Sequence, residues 1–101
     1  MSKFYITPCC GEPLPESFAA PGEAWRDFIE NLPMSGGDET WEDIAKEAGL
    51  MDIWPDTEDE VHDALDALHQ ALDRAGVVCQ GHRTESRGME APRFYLKKDA
   101  E

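Results

Sequence analysis

Between Asp56 and Asp73 the chain carries seven acids, Asp56, Glu58, Asp59, Glu60, Asp63, Asp66 and Asp73, with neither Lys nor Arg among them. As a helix this stretch would be about 27 Å long, with one carboxylate per ~4 Å. A DNA strand carries one phosphate per roughly 3.4 Å, so the two densities are close. Acids of the preceding segment, Glu42, Asp43 and Glu47, could add a second row. One chemistry is therefore imitation of a phosphate strand. The other is an acid-rich helix start, because four of the seven fall in or just before the first turn, where the helix dipole favours anions.

Two further sets could hold a metal. His62, Asp66, His69 and Asp73 stand at i, i+4, i+7 and i+11 on one helical face, too long a row for one ion to use all four. Exposed His–Asp pairing accounts for them more simply. Cys79-Gln-Gly-His82, joined by Cys9 and Cys10, would supply four soft ligands for zinc. Adjacent cysteines are poor co-ligands, however, and no C-x-x-C knuckle is present. The expectation is no metal and no other cofactor. No G-x-S-x-G, P-loop or H-E-x-x-H occurs either, so the chain is not expected to be an enzyme. Met34, Met51, Ile53 and Trp54 could form an apolar contact patch with Trp54 as its anchor, or could simply pack under the core.

Those residues must be carried by a small body. With 101 residues, 41% of them hydrophobic, one folded domain is expected over 1–101. Residues 1–22 would be an N-terminal strand and wrapping loop, and 23–98 a helical core with a hairpin. The net charge of −13 is unevenly spread. Residues 12–75 carry a net −15, whereas 81–98 carry +3 from Arg83, Arg87, Arg93, Lys97 and Lys98 against Glu85 and Glu90. Such a body repels nucleic acid at long range and attracts basic protein surfaces. Three cysteines, an odd count, with no apolar leader in MSKFYITP point to a reducing cytoplasm, and no stretch is long and apolar enough for a membrane span.

KFYIT (3–7) reads as a strand. The Pro-rich stretch after it reads as a loop anchored by Leu14 and Phe18. Trp25, Phe28, Ile29 and Leu32 recur at helical spacing over 23–32. TWEDIAKEAGL (40–50) is a second helix, with Trp41, Ile44, Ala45 and Ala48 inward and Gly49 as its stop. LMDIWPD (50–56) is unusually apolar for a connection. The third helix has Thr57 and Glu60 as a capping box, a stripe of Val61, Leu65, Leu68 and Leu72, and Gly76 followed by Val77 as its exit. GVVCQG then reads as a strand, GHRTESRGMEA as a polar turn region and PRFYLKK as a returning strand. KFYI and RFYL are similar enough to share one small sheet.

This order of elements resembles the winged-helix superfamily, most closely its PadR- and MarR-type regulators. TWEDIAKEAGL is similar to their second helix, TEDEVHDALDALHQALDRAGVV to their recognition helix and first wing strand, and GMEAPRFYLKK to their second wing strand. The resemblance implies an α+β winged-helix-like fold: three helices and a small antiparallel sheet with a C-terminal hairpin wing. The third helix lacks the side chains that read DNA, apart from Gln70 and Thr57. Small size, acidity and this shape together resemble phage or mobile-element inhibitors, such as anti-CRISPR proteins and other DNA mimics. The expected function is thus an acidic interaction protein that blocks a basic, nucleic-acid-handling partner through Trp54, Glu58, Asp59, Asp63 and Asp66. The alternative is a transcription regulator, a homodimer touching DNA through a basic wing at Arg83, Arg87 and Arg93.

Overall fold

A computed structural model describes residues 3–8, 17–32, 39–77, 83–84, 88–89 and 91–99. In chain order the elements are strand β1 (Phe4–Pro8), helices α1 (Pro21–Glu30) and α2 (Glu39–Glu47), a 3-10 turn (Leu50–Asp52), helix α3 (Glu58–Arg74), and strands β2 (Arg83–Thr84), β3 (Gly88–Met89) and β4 (Phe94–Lys98). Among the described residues this is an α+β arrangement of three helices with small antiparallel ladders.

The third helix is the element against which α1, α2 and β4 all pack. Its start is locally specified. The Thr57 hydroxyl accepts the Glu60 amide at 3.2 Å, and the Glu60 carboxylate accepts the Thr57 amide at 3.2 Å, so two otherwise orphan donors are satisfied. Its end is equally local. Gly76, at φ 79°, turns the chain left-handed. The Val77 and Gly76 amides then bond the Leu72 and Asp73 carbonyls at 3.0 and 3.1 Å. Between these ends, Val61, Ala64, Leu65, Leu68, Ala71 and Leu72 are buried.

The first helix answers with Trp25, Phe28 and Ile29, joined by Leu32 just past its end, all buried. It starts two residues earlier than its apolar spacing implies, because Pro21 occupies the first helical position, where a missing N–H costs nothing. Phe28 lies 4.8 Å from Phe94 of β4 with the rings tilted by 59°, and Trp41 of α2 meets the same ring edge-on at 5.7 Å. In α2, Ala45 is buried and Trp41 and Ile44 are half-buried. Ala48 is exposed, contrary to the inward position expected for it, since the helix has ended at Glu47 before reaching it.

The returning strand β4 runs antiparallel to β1, with Ile6 opposite Leu96 and Thr7 opposite Tyr95. KFYI and RFYL do share a sheet. The ladder bonds run out to the Asp99 amide on the Lys3 carbonyl at 2.8 Å. Phe18 anchors the wrapping loop through two 2.8 Å backbone bonds with Phe4. Of the strand expected at 76–81, Gly76 and Val77 form the exit of α3 and the rest lies outside the described residues, as do Leu14 and Met34. The region read as a polar turn contains a ladder of its own, with Arg83 opposite Met89 and Thr84 opposite Gly88.

Candidate functional site

The connection between α2 and α3 divides its apolar residues between core and surface. Leu50 and Pro55 are buried and Met51 packs partly against the core. Ile53 and Trp54 instead remain 38% and 40% exposed. They are held there from α1. The Trp25 indole N–H donates to the Ile53 carbonyl at 2.6 Å. Arg26 lies over the Trp54 ring at 5.7 Å, and its guanidinium is 3.8 Å from the Asp56 carboxylate. Gly22 permits the closest approach: a Cβ there would overlap the Pro55 carbonyl oxygen and meet the Asp56 Cα at 3.3 Å. An exposed tryptophan whose backbone is tied to α1 through the neighbouring Ile53 carbonyl is well placed to serve as an interface anchor.

A shallow groove of about 400 Å³ runs between this connection and α3. Leu50, Ile53, Trp54 and Pro55 form one wall, Ala64 and Ala67 the other, and Glu60 and Asp63 stand at its edge. The two alanines leave open the space that larger side chains on α3 would fill.

The seven acids of the 56–73 stretch separate into different environments. Asp56 pairs with Arg26. Glu58 turns toward the sheet, with its two oxygens 3.8 Å from His62 Nε2 and 3.8 Å from Lys98 Nζ. Glu60 is drawn into the cap, where bonds from the Asp56 amide first, then from Thr57, hold its carboxyl below the ordinary value of 4.5. The remaining four, Asp59, Asp63, Asp66 and Asp73, form one outward row with Gln70 along the exposed side of the helix. Asp66 has Arg93 at 4.0 Å. Among the described residues, Asp59, Asp63 and Asp73 have no ion pair. The row is about 21 Å long, so its charges are about 7 Å apart on average, twice the phosphate spacing along a DNA strand. The near-match counted over all seven acids does not survive this separation.

Of the expected site residues, the structure brings Trp54 and Asp63 onto one groove, sets Asp59 and Asp66 before and after Asp63 in the outward row, and turns Glu58 aside. Arg93, the described member of the basic wing set, lies beside Asp66. The side chains of Arg83 and Arg87 lie outside the described residues.

His62 and His69 diverge. His62 sits near Glu58, whereas His69 Nδ1–H donates to the Pro92 carbonyl at 3.1 Å and ties α3 to the chain entering β4. Among the described residues no three His, Cys, Asp or Glu side chains converge on a point where a metal could sit. Cys9, Cys10, Cys79 and His82 fall outside the described residues. No described helix is long and apolar enough to cross a membrane.

Gly22, Arg26, Ala64 and Ala67 are site residues that sequence reasoning missed. The Pro21-Gly22 pair and the small residues within an otherwise leucine-rich helix were the available signals. Searches against protein-family models, curated proteins and solved structures found no match to the chain.

Proposed function

We propose that the chain is a non-enzymatic, cytoplasmic interaction module that binds a basic surface on a nucleic-acid-handling protein and blocks it. The acid row occupies part of the ground a nucleic acid would take, as in DNA-mimicking inhibitors of phage or mobile-element type. The single observation that carries this reading is the exposed Ile53–Trp54 pair, tied to α1 through the Ile53 carbonyl, sharing a groove with Asp63, which has no ion pair among the described residues. Charge supplies the approach and the apolar pair the anchor. A row with twice the phosphate spacing mimics DNA only in part, so the anchor has to contribute to affinity and specificity.

Direct DNA binding through Arg83, Arg87 and Arg93 has less behind it. Arg93 is already beside Asp66, and a body of net charge −13 opposes a polyanion. The deciding experiment is capture of a specific partner from lysate of the source cells, repeated with Asp59→Lys/Asp63→Lys, alongside chromatography on immobilised duplex DNA. Capture by the native chain and its loss in the double variant are expected. Salt-sensitive retention on duplex DNA, abolished by Arg83→Glu/Arg87→Glu, would overturn the proposal.

A further inference from the structure

Resting on that reading, we infer that the groove between residues 50–55 and α3 receives a peptide segment of the partner with one aliphatic or aromatic side chain and a Lys or Arg within about a helical turn of it. The apolar side chain enters between Trp54 and the Ala64–Ala67 wall, over Leu50. The cation lies against Asp63 on the rim and Asp59 one turn before it.

The chemistry of the occupant follows from the rim. Glu60 has one carboxylate oxygen, Oε1, engaged by the cap, and Asp63 has no ion pair among the described residues. An acidic or neutral segment would leave these carboxylates partly desolvated without a counter-charge. A second copy of this chain is disfavoured for the same reason, since it brings a net −13 to a rim that is already acidic. Arg26, the cation near the groove, is turned toward Asp56 and the Trp54 ring. The apolar half of the occupant follows from the wall. Leu50, Ile53, Trp54, Pro55, Ala64 and Ala67 present carbon, and the volume of about 400 Å³ leaves ample room for a side chain of leucine to phenylalanine size with part of its backbone.

The test uses random peptides displayed on phage, selected against the full chain, with the enriched sequences titrated as free peptides. Three variants with intact circular dichroism separate the contributions: Ala67→Leu fills the groove without changing charge, Trp54→Ala removes a wall, and Asp59→Asn/Asp63→Asn removes the counter-charge. Enriched peptides should pair an apolar side chain with a nearby Lys or Arg. Their affinity should fall at least tenfold in Ala67→Leu and in Trp54→Ala. In Asp59→Asn/Asp63→Asn it should fall and lose most of its salt dependence. No enrichment, enrichment without basic residues, or affinity indifferent to both Ala67→Leu and Trp54→Ala would overturn the inference. Basic peptides that need Asp59 and Asp63 but ignore Ala67→Leu would remove the groove and leave the acidic-face reading standing. Loss of partner capture in Asp59→Lys/Asp63→Lys, unchanged in Ala67→Leu, would separate the two in the same way.

Discussion

Gly22→Ala is the sharpest probe of how the exposed tryptophan is held. Two effects oppose each other. Within a helix, alanine is favoured over glycine by up to about 1 kcal/mol, and less near the first turn. Against this, the new Cβ would come closer to the Pro55 carbonyl oxygen than the 3.0 Å that real Cβ contacts respect, and would crowd the Asp56 Cα at 3.3 Å. Both neighbours are backbone and cannot swing aside as a flexible side chain would. Overpacking of this kind costs roughly 1–3 kcal/mol. If residues 53–56 shift to relieve it, the Trp25–Ile53 hydrogen bond stretches, which adds about 1 kcal/mol. The overlap wins, and a net loss of about 1–3 kcal/mol is expected, a fall in Tm of roughly 5–20 °C for a domain this small. Urea and thermal unfolding followed by circular dichroism measure the loss. The NMR signal of the Trp25 indole N–H, with its hydrogen exchange, reports whether the clamp has opened. Unchanged or raised stability, with the indole still protected, would refute the argument that Gly22 is needed for close approach.

Three other substitutions address single devices. Ala20, the N-cap of α1, has extended backbone and no side-chain cap, so Ala20→Ser should raise stability by about 1 kcal/mol in urea unfolding; no gain would mean the α1 amides are already satisfied. Gly76→Ala places a side chain at φ 79° and should cost about 1–2 kcal/mol, read as a lower urea midpoint with unchanged slope. Because the Glu60 pKa is lowered on folding, its contribution is present above about pH 4.5 and is lost as pH falls through the folded value. Glu60→Gln should therefore be less stable than the native chain at neutral pH, with the gap closing as acid is added; a gap constant with pH would refute the linkage.

The parts of this fold that could be read from sequence are those decided within a few residues. The Thr57–Glu60 box, the leucine stripe and the Gly76 exit of α3 depend only on neighbours in the same helix, and each stands where the spacing put it. The shared sheet of KFYI and RFYL was foreshadowed by composition, but its ladder sets residue 6 against residue 96, which no local pattern reports. The candidate site depends on the same long reach. Trp54 as a residue type fits a core as well as a surface. What keeps it outside is Gly22, Trp25 and Arg26, about thirty residues earlier. Seven acids counted along the chain likewise look equivalent until Arg26, Lys98 and the cap draw three of them out of the outward row.

The β1–β4 ladder has a consequence for how the molecule is made. During synthesis strand Phe4–Pro8 leaves the ribosome long before its partner, Phe94–Lys98. Throughout that interval Ile6, 1% exposed once folded, has no strand to lie beside. Pairings this distant in sequence close late and slow folding. The three helices can gather around Trp25, Phe28 and Leu68 before β1 and β4 meet, but Phe94, which touches both Phe28 and Trp41, arrives only with β4. The aromatic centre of the core is thus completed in the same step that pairs β1 with β4, so a chain stopped short of Phe94 lacks that ladder and the middle of its core together.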